Sequence, residues 1–375
     1  MRTAPPLVQM RMSFPSSLNF SPVQSQTQST EAEPSPGGPD TAEKPRLRAI
    51  DLARKIRQEK AKTQSETRTQ ETDPPVSGSQ QRVTELKRFT TQLQNVHPNV
   101  LAKHLHRTVL HRDKDVVILN KPYGVPSGVT TITSVLPVLC KMLDGLKTKT
   151  DTELLPCLGL EKDSSGALLL ARSEAVLEDI LSLSRNNQVE RKYWVITVGV
   201  PVPSEGLIDI PIIEREVTGP TPHFKMTLSP LFRMNEAGDG VTKVRSHRQA
   251  HAAATKYRVL DSSYGCSLVE LQPLTGVKHQ MRVHMAYALA CPILGDHKYS
   301  HWSKLAPQKL PERVLKKLGL EQTKSRYLPL HLHARRLVLP GRSQSDVAVS
   351  CPMPKYFIKT LNRLQLMFPE DKNDE

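Results

Sequence analysis

The sequence predicts an α+β fold: a mixed, mainly antiparallel sheet with flanking helices. Two observations carry this. Short strand-like runs recur at 193–200, 206–212, 253–260, 267–271 and 330–339, joined by turn-rich connections. Only a few segments keep the helical spacing of apolar residues. No internal repeat is visible.

The elements follow in order. Residues 1–30 contain Arg2 and Arg11 but no acid, the first being Glu31, and are rich in Ser, Thr and Gln. An acid-free, Arg-bearing, hydroxyl-rich start reads as a mitochondrial import segment, and no sustained apolar stretch makes it a secretory signal. Residues 31–81 are rich in Pro, Ser, Gly, Gln and charge. They cannot bury enough apolar surface to offset their ordering entropy, so a disordered linker is expected, with one basic helix at about 46–62. The folded domain is expected over 82–368. Val83, Leu86, Phe89 and Leu93 open it with helical spacing. Residues 115–121 form a strand that runs into the turn Pro122-Tyr123-Gly124. Ala167 to Leu170 form another. Ser173 caps a helix reaching residue 187, with Val176, Leu177, Ile180, Leu181 and Leu183 as its apolar positions. A Lys-, Leu- and Pro-rich excursion at 300–325 contains a short helix at 312–318. A closing helix spans 352–366, and 369–375 form an acidic tail.

The formal net charge is +15; residues 1–100 carry +4 of it and the remainder +11. A basic folded domain points to a polyanion, nucleic acid first. Five scattered cysteines without a CxxC pair argue against a zinc site and a disulfide framework and suit a reducing compartment. No apolar run is long enough for a membrane span.

Three stretches are dense in chemical groups. In Leu158-Gly159-Leu160-Glu161-Lys162-Asp163-Ser164-Ser165-Gly166 a tight polar turn leads into an apolar strand, a construction that holds a carboxylate at the mouth of a cleft. Either Glu161 or Asp163 can be that acid. In Arg191-Lys192-Tyr193 a basic pair leads to a tyrosine entering a strand, where Tyr193 is a base-stacking candidate and Arg191 and Lys192 are phosphate contacts. In Thr275-Gly276-Val277-Lys278-His279-Gln280-Met281-Arg282-Val283-His284 a helix is expected from Thr275-Gly276, its first-turn N–H groups beside Lys278, His279 and Arg282 forming an anion site. His279 and His284 are badly spaced for a metal on a helix, so no metal is expected.

Together these stretches resemble the RluA-type pseudouridine synthase family, from about Asp115 to Pro340. Leu119-Asn120-Lys121-Pro122-Tyr123-Gly124-Val125 is similar to its first motif. Arg191-Lys192-Tyr193 with Gly199 is similar to its tyrosine motif. The stretch from Thr275 to His284, followed by Pro292-Ile293-Leu294-Gly295-Asp296 and Tyr299, resembles its most recognisable signature, and His333-Ala334 its last. The second motif departs from the family, which has His-Arg-Leu-Asp, two variable residues, then Thr-Ser-Gly. The essential aspartate falls on Glu161, its base-extruding arginine on Gly159 and its histidine on Leu158.

The resemblance implies an RNA-binding cleft and isomerisation of uridine to pseudouridine without cofactor or metal. It implies Glu161, Tyr193 and Arg282 as catalytic residues, Arg282 pairing with the carboxylate and Tyr193 stacking on the flipped uracil. Lys121, Asp163, Arg191, Lys192, Lys278, His279 and Gln280 are the expected substrate-binding set, with Lys121 in a motif that supports the site. Mitochondrial messenger or ribosomal RNA is the implied partner, in the matrix, alongside other mitochondrial RNA-processing proteins. The alternative is an RNA-binding ribosome-assembly factor that kept the fold and lost the chemistry.

Overall fold

Val116, Val117, Ile118 and Leu119 are all buried, so the strand they form must be covered on both faces. The computed structural model describes residues 78–126, 132–145, 153–217, 222–229, 247–341 and 346–369, with the backbone of 232–234 and 241–243. The expected import segment 1–30, the linker up to residue 77 with its basic helix, and the tail beyond 369 lie outside the described residues.

The described residues begin with α1 (Gly78–Thr91), starting at Gly78 rather than Arg82, then α2 (Pro98–Arg107), β1 (Val109–Arg112) and β2 (Val116–Lys121). Next come α3 (Ile132–Asp144), β3 (Leu155–Leu158), β4 (Ser165–Ala171), α4 (Glu174–Arg185), β5 (Glu190–Val198) and β6 (Glu205–Asp209). β7 (Ile212–Val217), β8 (His223–Leu228), β9 (Phe232–Met234), β10 (Val241–Lys243), β11 (Ala254–Ser263) and β12 (Cys266–Pro273) follow. The described residues end with α5 (Gln280–Val283), a π turn (His284–Ala288), α6 (Glu312–Leu318), a 3-10 turn (Gln322–Tyr327), β13 (Leu332–Leu339), β14 (Val347–Ser350) and α7 (Lys355–Leu364).

Among the described residues the main sheet has ten strands in the order β1-β2-β4-β13-β5-β12-β11-β6, with β3 added to β4 and β14 to β13. Its pairs are antiparallel except β4 with β13, where Ser165 stands opposite His333 and Gly166 opposite Ala334. The expected mixed, mainly antiparallel sheet is what the chain forms. Alternation sorts the core. Val117, Leu119, Leu168, Leu170, Tyr193, Val195 and Leu271 face one cluster with Leu101, Leu136 and Leu139 of α2 and α3. Trp194, Ile196 and Leu268 face the other side with Val314, Phe357 and Leu361 of α6 and α7. Each such side chain contributes about 1.5–3 kcal/mol by leaving water, so both faces hold the sheet rigid beneath the turns that carry the site.

Three sequence expectations change. The single strand at 206–212 is divided: Pro211, which has no N–H, separates β6 from β7, and β7 pairs instead with β8 in a small second sheet. Helix α3 was not foreseen because Pro137 lies inside it. The helix expected from Thr275-Gly276 starts only at Gln280 and is one turn long. The Ser173 cap is as expected, its Oγ accepting the Val176 N–H at 3.3 Å.

Candidate active site

The six residues between β3 and β4 form the turn that carries Glu161. Its closure is local: the Ser164 N–H and Oγ–H both donate to the Glu161 carbonyl, at 3.1 and 2.9 Å. The turn is anchored from outside by the strand-to-turn motif at 119–125. The Gly124 N–H donates to the Lys162 carbonyl at 3.0 Å. The Lys121 ammonium, 0% exposed, donates to the carbonyls of Ser164 (2.7 Å), Pro122 (3.1 Å) and Lys162 (3.3 Å). Burial pushes the Lys121 pKa down to about 7, opposed by Asp163 and Glu161. Three carbonyls meet the three donors of the charged form. Lys121 therefore stands behind the turn as its clamp, and the expectation that it binds substrate is corrected.

Gly166 ends the turn where β4 meets β13. Its φ is +116°, and a Cβ there would lie 2.4 Å from the Ala334 carbonyl oxygen, so only glycine permits this approach. Beside it, Ser165 Oγ and His333 Nδ1 are 3.0 Å apart. Nε2–H of the same imidazole donates to the Cys351 carbonyl at 3.2 Å.

Opposite the turn, α5 is tied to β11 by the Gln280 side chain. Gln280 Nε2 donates to the Ala254 carbonyl (2.8 Å) and to Thr255 Oγ1 (2.9 Å), and its Oε1 accepts from Thr275 Oγ1 (2.7 Å) and the Val277 N–H (3.1 Å). Both donors and the acceptor of Gln280 are committed, so it is scaffold rather than a substrate contact. The Val277 N–H is likewise taken, and the helical first turn expected directly after Thr275-Gly276 does not form there, since the helix starts at Gln280. His279 follows with φ 56°, a left-handed conformation uncommon outside glycine. It brings the imidazole between Tyr299, whose hydroxyl is 2.5 Å from Nδ1, and Glu161, 3.8 Å from Nε2. Burial first, then Arg282, drive the His279 pKa down to about 3, so the ring is neutral at physiological pH.

Arg282 projects from α5 to the centre. Nη1 donates to Glu161 Oε2 at 2.6 Å, while Nε and Nη2 donate to the two oxygens of Asp296 at 2.9 and 2.8 Å. Burial disfavours its charge, and the two carboxylates, Asp296 foremost, more than restore it. Asp296 is 0% exposed, and its Oδ1 also accepts the Lys298 and Tyr299 N–H groups at 3.0 Å each. Burial pushes the Asp296 carboxyl up, but Arg282 holds it below its ordinary value.

Glu161 and Tyr193 line one cavity of about 450 Å³, together with Arg191, Lys278, His279 and Gln280. Among the described residues no group of three or more His, Cys, Asp or Glu side chains is arranged to hold a metal ion.

A family model described as RNA pseudouridylate synthase matches residues 115–287. The zebrafish (Danio rerio) protein named pseudouridylate synthase RPUSD4, mitochondrial, is 58% identical over 328 residues, 86% of this chain and 90% of that one. Its human (Homo sapiens) counterpart is 49% identical over 336 residues, 88% of this chain and 87% of the relative. The chain belongs to the RNA pseudouridylate synthase family. A solved structure of human RNA pseudouridylate synthase domain containing 4 superposes with TM-score 0.65 at 49% identity, covering 73% of this chain and 98% of that chain. The motifs alone had pointed to the third of the vertebrate mitochondrial proteins of this type. The human mitochondrial mRNA pseudouridine synthase RPUSD3 is 34% identical, so this pseudouridylate synthase stands nearer the fourth.

Of the residues singled out in the sequence, Glu161, Tyr193 and Arg191 line one cavity, and Arg282 reaches it through its bond to Glu161. Three other expected contacts do not face it freely. Lys192 points to the opposite side of β5 and pairs with Glu190 (3.3 Å) and Glu270 (3.9 Å), because alternate strand residues face opposite ways. Lys278 is exposed at the rim and pairs with Glu214 at 2.9 Å. Asp163, two residues after Glu161, lines a second cavity with His279 and Arg282, because the connection is a turn and not a strand. Sequence reasoning missed Asp296 as a site residue, although the resemblance had marked its stretch.

Proposed function

We propose that this chain is an active pseudouridine synthase of mitochondrial RNA, acting in the matrix on messenger or ribosomal RNA and so supporting mitochondrial ribosome assembly and translation. One observation carries the reading: Glu161 Oε2 lies 2.6 Å from Arg282 Nη1 in a cavity that Tyr193 also lines. The reaction breaks the bond between ribose C1′ and uracil N1, turns the base, and rejoins it through C5. Glu161 supplies the carboxylate that attacks or takes a proton at the sugar. Arg282 fixes its orientation without having to reorganise, because Asp296 already holds the guanidinium. Tyr193 stacks on the extruded uracil and assists removal of the C5 proton. The names of the mitochondrial relatives and the acid-free N-terminus support the compartment.

The test is to supply purified full-length chain with mitochondrial RNAs and score pseudouridine by mass spectrometry. Pseudouridine at defined uridines, lost in Glu161→Gln, is the expected result; formation that survives Glu161→Gln overturns the assigned role.

A second reading is a non-catalytic RNA-binding or ribosome-assembly factor. It is favoured by Leu158 and Gly159, which stand where the resemblance places histidine and the extruding arginine. Rescue of translation in depleted cells by Glu161→Ala as fully as by wild type would establish it over the first.

A further inference from the structure

His279 lines both the catalytic cavity and a second one of about 620 Å³, which Arg282 also borders and for which the reaction above names no substrate group. Its lining is chemically divided. Tyr123, Leu330 and the segment Leu305 to Pro307 supply a mostly apolar wall. Lys298 and Arg326 supply positive charge, Lys298 half-buried beside the catalytic Arg282–Asp296 pair and Arg326 exposed on the 3-10 turn. His297 adds no charge: Nδ1 accepts the Gln308 N–H at 3.1 Å, Nε2 donates to the Leu328 carbonyl at 3.1 Å, and burial lowers its pKa.

Asp163 is the remaining group. It is half-buried, and among the described residues no donor or cation reaches its carboxylate at bonding distance. A carboxylate in a partly desolvated cleft gains most from two N–H donors presented side by side. An apolar wall, two cations and an acceptor carboxylate together fit one nucleotide: a base against the wall, a phosphate on the cations, and the base edge on the acid. His279 lines both cavities, so a strand whose uridine occupies the first can place its neighbouring nucleotide in the second.

We propose that the second cavity receives the nucleotide flanking the target uridine, with its phosphate on Lys298 and Arg326 and its Watson–Crick edge on Asp163. The inference rests on the reading of the neighbouring cavity as the uridine site. Guanine is the base that fits: its N1–H and N2–H₂ lie side by side, whereas adenine and cytosine each offer an amino group beside an acceptor that the carboxylate repels. Asp163 is thus a specificity residue and Arg326 an affinity residue.

The test uses the full chain and single-stranded RNAs that contain one uridine and differ only in the adjacent base, with guanine, adenine or cytosine on either side. Dissociation constants come from fluorescence anisotropy, and pseudouridine in the same RNAs from mass spectrometry. Guanine on one side is expected to bind about tenfold tighter than adenine, a discrimination typical of a paired base-edge contact. Asp163→Asn removes that preference. Arg326→Gln, on the exposed 3-10 turn, weakens every RNA by about fivefold with a shallower salt dependence and leaves the flanking-base preference unchanged. Equal binding of all flanking bases, an equal loss for every RNA in Asp163→Asn, or unchanged affinity in Arg326→Gln each overturns the proposal. Absence of pseudouridine in every RNA would instead sink the reading of the catalytic cavity, while the binding pattern still reports on this one.

Discussion

Asp296 holds Arg282 through two N–H···O bonds of 2.9 and 2.8 Å, leaving Nη1 to meet Glu161 at 2.6 Å. The guanidinium is thus aimed by one acid at another. Asp296→Asn would leave a buried arginine with half its charge compensation. We expect a stability loss of about 3 kcal/mol, as for a buried pair with one partner removed, and a fall in kcat of about 10²-fold through misplacement of Glu161. RNA affinity should change little. Urea unfolding and single-turnover kinetics measure the two effects.

Glu161 reaches Arg282 with a side chain one methylene longer than the family aspartate. The turn fits the longer acid, so Glu161→Asp should not improve the enzyme. Withdrawing the carboxylate by roughly 1 Å should slow the chemical step by about 10²-fold with little change in RNA binding. A faster Glu161→Asp enzyme would mean that the turn still has the geometry of an aspartate site.

Lys121 satisfies three carbonyls behind the catalytic turn. Lys121→Met keeps the length and removes every donor. It should cost about 3 kcal/mol, the desolvated carbonyls being left without partners, and lower kcat more than it raises KM. Thermal unfolding and steady-state kinetics on one RNA separate these effects.

Gly166→Ala places a methyl group against the Ala334 carbonyl at a φ of +116°. Strain and clash together should destabilise the domain by about 3 kcal/mol or more. Soluble yield and melting temperature read the outcome, and a fully stable variant would contradict the β4–β13 register.

His333 and His331 are fully buried, and burial pulls their pKa values down to about 4 and about 3. Both lie below the usual value near 6.5, so on acidification the unfolded chain takes up protons that the folded chain refuses. Stability is therefore fully present above about pH 6.5 and declines as pH falls through the window towards about pH 4. Urea midpoints measured from about pH 7 to about pH 4.5 should show this fall, and His333→Gln should reduce its slope.

The sequence alone determined the local elements and the ordered motifs. Strand alternation, the Ser173 cap and apolar helix spacing are short-range properties, so β2, β5, β12, α4 and α6 were legible. So were Glu161, Tyr193 and Arg282, because each lies in a compact motif. Only the tertiary structure decided which of these residues meet, since contacts such as Arg282 with Glu161 join segments far apart in the chain. It sent Lys192 to the opposite face of β5, committed Gln280 to β11 and turned Asp163 into a separate cavity. It brought Asp296 under Arg282 and put Lys121 behind the turn. Strand register and the burial of charge set these outcomes, and neither can be read from a residue's neighbours in the sequence.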